Sequence, residues 1–171
     1  MDPVDAHFER AERLAEITQR VGFTLWQLQE LEGVAATYFV LLAAAKRGMG
    51  TEAGEILVAK AKGRTFGATI TQLQAAGLLS GAIEERFRRV LSDRNWLVHS
   101  SRPDSRAAVY DDSAFGALLL RLDRIAAEAL ALLREIGSRA EKHVMAQGVT
   151  RQQIDEGAIR LLKAWREADA I

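Results

Sequence analysis

The sequence predicts an all-α fold, an antiparallel bundle of long helices with short connections, and three observations carry that reading. Alanine, leucine, glutamate and arginine are abundant and only two prolines occur, Pro3 and Pro103. No segment alternates apolar and polar residues long enough to make a strand. Several segments instead repeat apolar residues every three and four positions, the period of a helix with one buried side.

Taken in order, a first helix is expected over about residues 4–20, with Phe8, Leu14 and Ile17 on its apolar side. A hitch at Gly22-Phe23-Thr24 leads into a second helix over about 24–47, unless the two form one long bent helix. Gly48-Met49-Gly50 reads as a stop, and Thr51 as the cap of a helix to about Lys62. Thr65 starts a short helix ending near Gly77, and Ser80 caps the next, to about His99. Residues 100–112 read as the clearest loop, because they hold Pro103 and aspartates without an apolar period. Ser113 or Asp112 then caps a long helix to about Met145, with Leu118, Leu122, Ile125, Ala129, Leu132 and Ile136 in one stripe. Gly148 ends it. Thr150 caps a last helix to about 168, whose Ile154, Ile159, Leu162 and Trp165 are expected to dock on another surface. The whole chain, 1–171, reads as one helical domain, with a core over about 24–146 flanked by the first and last helices.

Composition narrows the function classes. Of 171 residues, 23 are basic and 23 acidic, so no overall field draws the molecule to polyanions, and any such binding needs a local patch. No cysteine is present, which excludes disulfides, thiolate metal sites and cysteine nucleophiles. That absence agrees with a cytoplasmic location, as does an N-terminal stretch without the apolar core of a signal peptide. The longest apolar run, Val34 to Ala45, is too short to span a bilayer, so no membrane association is expected. His7, His99 and His143 are scattered, and the glycines near Gly50 follow a helix rather than a strand. Neither a metal nor a cofactor is expected.

One run carries chemistry. On the helix ending at His99, Ile83, Phe87, Val90, Leu91, Leu97 and Val98 form an apolar stripe, and Arg94 falls near its middle. A guanidinium there is costly unless an acidic neighbour, a partner chain or a bound phosphate meets it. Asn95, the only asparagine in the chain, lies one turn before His99, close enough for the two side chains to touch. Between Arg86 and Arg106 stand six arginines against Asp93 and Asp104, a local excess of positive charge suited to phosphates. Arg102, Arg106 and Arg89 are the candidate phosphate contacts. Trp96 points away from the stripe, toward packing on another helix or a base.

Arg94-Asn95 followed by His99 resembles the R-x4–6-H motif of HEPN domains, in which a polar residue usually follows the arginine. The match covers six residues directly and about residues 24–145 by helix pattern. The resemblance implies a small helical homodimer acting on RNA as a metal-independent endoribonuclease of a toxin–antitoxin or phage-defence system. An antitoxin or regulatory protein would restrain it. It further implies that His99 exchanges a proton with the ribose 2′-hydroxyl or the leaving oxygen, that Arg94 stabilises the phosphate, and that Asn95 orients His99 or the substrate. The chain departs from one branch of the family in carrying Ser101 where a modifiable tyrosine follows the histidine by two residues. Tyr110 is too distant to replace it. The alternative is a non-catalytic HEPN-like module for dimerisation or for binding a nucleotide or partner.

Overall fold

The computed structural model describes residues 2–46, 48–79 and 81–168, and every regular element among them is helical. The helices are α1 (Pro3–Phe39), α2 (Thr51–Lys62), α3 (Phe66–Ala75), α4 (Gly81–His99), α5 (Arg102–Tyr110), α6 (Asp112–Ala146) and α7 (Arg151–Ala168). No helix among the described residues is long and apolar enough to cross a membrane.

Of the two arrangements expected around Gly22, a hitch or one long helix, the continuous helix forms. α1 starts where the Asp2 carboxylate accepts from the Val4 amide at 2.9 Å, and it runs unbroken to Phe39. The continuous helix packs against α6 there. Thr24 is buried, and its hydroxyl donates to the Leu122 carbonyl oxygen at 3.3 Å, so a residue that could leave the helix is satisfied inside it. The chain then widens into a π-helical turn, Val40–Ala44, closed by the Ala45 amide on the Val40 carbonyl at 2.8 Å. Arg47, the expected end of this element, and Ser80, the expected cap of α4, lie outside the described residues.

Two ends follow the glycine rule closely. α3 and α6 terminate at Gly77 (φ +67°) and Gly148 (φ +91°), where a side chain would be strained. In each, the next amide reaches back to a carbonyl of the last helical turn, Leu78 to Leu73 and Val149 to Val144. Starts differ slightly from expectation. Asp111 rather than Asp112 or Ser113 caps α6, accepting from Ala114, and Thr51 is the first residue of α2 rather than its cap. Thr65 caps α3, and Thr150 pairs reciprocally with Gln153 at the head of α7.

The core is built chiefly between α1 and α6. All six stripe residues of α6 are buried, facing Ile17, Leu28, Leu31 and Ala35 of α1, while α3 and α4 add Phe66 and Phe87. Each leucine, isoleucine and phenylalanine among them contributes about 1.5–3 kcal/mol on leaving water. The order of contacts corrects the antiparallel expectation. Arg13 pairs with Asp112 and Arg20 with Asp123, so α1 and α6 run parallel. Short loops force antiparallel packing only on consecutive helices, and here the intervening helices carry the chain back to the same end. α4 does oppose α6, with Arg86 beside Glu128 and Asp93 beside Arg121.

The segment 100–112 is not a loop. Pro103 sits in the first turn of α5, where its missing amide costs no hydrogen bond, and buried Ala108 ties the helix to the core. α7 also departs from expectation. Ile154 is half-buried, but Ile159, Leu162 and Trp165 are exposed, so its apolar side stays largely open.

Candidate functional site

α4 delivers the candidate residues. Ile83, Phe87, Val90 and Leu97 bury one side of it, and Arg94 lies on that same side, only partly covered. What meets the guanidinium is Glu32 of α1. Arg94 Nε donates to Glu32 Oε1 at 3.0 Å. Of the three possible partners, the acidic neighbour from its own chain is present. The bond uses Nε alone, so the two terminal nitrogens of Arg94 have no protein partner among the described residues.

Arg94 and Asn95 share a hollow of about 440 Å³ that is also walled by Glu32, Arg64, Phe66 and Leu91. Asn95 is exposed, as is Val98, which leaves the expected apolar stripe at 46% exposure. His99 closes α4. It is exposed and has no hydrogen-bond partner among the described residues. It does not line the hollow. Five helical steps separate it from Arg94, a rotation of about 140° and a rise of about 7.5 Å. Within one chain, then, Arg94 and Asn95 come together and His99 stands apart.

The basic patch is smaller than the sequence suggests. Arg86 Nε donates to Glu128 at 2.7 Å, a bond that pushes the guanidinium further above its ordinary value, and Arg88 pairs with Glu84 at 2.7 Å. Arg89, Arg102 and Arg106 are exposed and have no ion pair among the described residues. The last two sit on α5 rather than on a loop. Asp104, from the first turn of α5, accepts from the Trp96 indole at 3.2 Å, and the Arg121 guanidinium lies 3.4 Å from the Trp96 ring centre. Trp96 is therefore engaged by packing and a cation–π contact, the first of its two expected roles.

Glu32 is the residue that sequence reasoning missed. Its signal was available: it lies four residues after buried Leu28 and four before buried Ala36, an acid on a line of core positions. No group of histidine, aspartate or glutamate side chains among the described residues is arranged to hold a metal ion. Chemically, the arrangement offers a fixed guanidinium with free donors, an amide beside it and an accessible imidazole one turn away. Comparison with known proteins finds no matching family model, and no curated protein or solved structure similar to the chain.

Proposed function

We propose that the chain is a metal-independent endoribonuclease of the HEPN type, working as a homodimer in a cytoplasmic toxin or phage-defence system. The observation that carries this reading is the way Glu32 holds Arg94. One nitrogen is anchored and two remain available beside Asn95, the geometry a guanidinium needs to fork onto a phosphate.

In the proposed reaction the 2′-hydroxyl of the substrate attacks the adjacent phosphorus and the bond to the 5′-oxygen breaks. His99 takes the 2′-proton or supplies one to the departing 5′-oxygen. The products are a 2′,3′-cyclic phosphate and a 5′-hydroxyl. Arg94 stabilises the charge on the phosphoryl oxygens in the transition state, and Asn95 orients the reacting groups. The 140° between Arg94 and His99 supports a two-copy site, with each copy supplying what the other lacks near the hollow. An antitoxin or regulatory partner fits the same reading.

The test is incubation of purified protein with mixed single-stranded RNA in excess EDTA. Cleavage yielding cyclic phosphate ends is expected, and His99→Ala should cut it by about a hundredfold or more. Loss of cleavage on chelation, or equal cleavage by His99→Ala, overturns the assignment.

One observation favours a second reading. Glu32 neutralises Arg94 within its own chain, as a structural ion pair would, and that suits a non-catalytic dimerisation or binding module. Overexpression discriminates: the enzyme arrests growth and Arg94→Ala relieves it, while the module leaves growth unchanged.

A further inference from the structure

The hollow at Arg94 does not end at Glu32. It shares Glu32, Arg64 and Phe66 with a larger groove of about 700 Å³, which continues along α1 to Leu161 and Trp165 of α7. Lys62, the last residue of α2, and Arg64, in the turn before α3, stand on its wall. Both are exposed and neither has an ion pair among the described residues. Arg64 bonds only to the neutral amide oxygen of Gln72. These two charges are therefore not held in an ion pair, unlike those of Arg86, Arg88 and Arg94. Glu30 and Glu32 lie on the opposite, α1 side, so the groove taken alone is balanced, and Arg94 of the adjoining hollow brings the two together to one positive charge in excess.

Trp165 is the second feature. The residue is 65% exposed, and its ring carries no aromatic or cationic partner among the described residues, in contrast to Trp96. An unpaired indole beside unpaired cations is the pairing of groups that holds a single strand without reading its sequence. The cations take phosphates, and the indole stacks on a base.

We infer that this groove carries the single-stranded RNA away from the Arg94–Asn95 hollow, with Lys62 and Arg64 on its phosphates and Trp165 stacked on one of its bases. The inference rests on the ribonuclease reading for the position of the scissile phosphate. The acids on the α1 side keep the phosphate backbone on the Lys62 and Arg64 wall and leave the α7 side to the bases. The exposed apolar side of α7 thereby gains an occupant.

The experiment uses the full chain carrying His99→Ala, so that RNA is bound without being cut, and a fluorescently labelled oligouridylate as probe. Anisotropy titrations are run over a range of salt concentrations. Adding Lys62→Ala with Arg64→Ala should weaken binding and flatten the plot of log affinity against log salt by about 1.4, or 0.7 per lost phosphate contact. Trp165→Ala should weaken binding about tenfold and Trp165→Phe should restore most of it, which separates stacking from a folding defect. Unchanged affinity and salt slope in these variants overturn the groove, and so does failure of the His99→Ala chain to bind the probe. Cleavage by the otherwise wild-type chain that survives His99→Ala overturns the catalytic assignment instead, and the groove is then judged on the affinities alone.

Discussion

Glu32 Oε1 accepts a hydrogen bond from Arg94 Nε at 3.0 Å, tying α1 to α4 across 62 residues of sequence. Both side chains keep about a quarter to a third of their exposure, so solvent screens the pair and its worth is about 1 kcal/mol. Removing the acid frees the guanidinium to rotate and makes the hollow more positive. Glu32→Ala should lower stability by about that amount and reduce kcat about tenfold without weakening RNA binding, because the lost element is orientation. Glu32→Gln keeps an acceptor and should keep most of kcat. Urea unfolding and single-turnover cleavage check both, and a double-mutant cycle with Arg94→Ala should give a coupling near 1 kcal/mol.

At His99 the ribonuclease proposal predicts that catalysis and stability separate. It is exposed and makes no hydrogen bond among the described residues. His99→Ala should therefore change stability by no more than about 0.5 kcal/mol while cutting cleavage about 10²- to 10⁴-fold. Asn95→Ala should cost five- to tenfold, roughly the worth of one neutral hydrogen bond. Thermal melts beside initial cleavage rates test the contrast. Equal losses in both measurements would mean that His99 holds the helix end rather than the chemistry.

Much of the helical order is legible in the sequence because periodicity is local. The α6 stripe from Leu118 to Ile136 reads directly, and every member is buried. α5 does not read as a helix. Its nine residues bury one alanine deeply, so the apolar signal is faint and Pro103 dominates the pattern. The residues around Gly22 allow either a break or one long helix, and the Thr24 bond to the Leu122 carbonyl, 98 residues away, lies outside any local window. The same limit hides the parallel packing of α1 on α6. At the site, Arg94 stands out as a misfit on its own helix, and Glu32 is the matching misfit on another. Each is visible alone. Their pairing is a tertiary fact.

Phe87 is the test of the core behind the site. It is fully buried on α4 and meets Phe66 of α3 edge-on, with ring centres 6.1 Å apart at 61°. Phe87→Ala removes the aromatic contact and leaves a cavity, at a cost of about 3–5 kcal/mol. Phe87→Leu should cost less, because much of the volume is retained. Chemical denaturation measures both. A loss below about 1 kcal/mol in Phe87→Ala would mean that α3 and α4 do not pack in this register.

Tyr38 should make the chain sensitive to alkali. The side chain is 5% exposed between α1 and α6, and burial holds its phenol above the usual tyrosine range, with the Arg139 charge opposing the shift. Arg139 itself donates to Glu135 at 2.8 Å, and that bond draws the Glu135 carboxyl below its ordinary value. For Tyr38 the folded state prefers the neutral phenol. Its contribution is thus complete below the unfolded-chain value of about 10 and is lost as pH rises through the higher folded value. Ultraviolet titration should show one tyrosine ionising later than a free phenol. Tyr38→Phe cannot ionise, so its stability should fall less steeply than wild type above pH of about 10. Identical alkaline slopes for the two proteins would place the Tyr38 hydroxyl in water rather than between the long parallel helices.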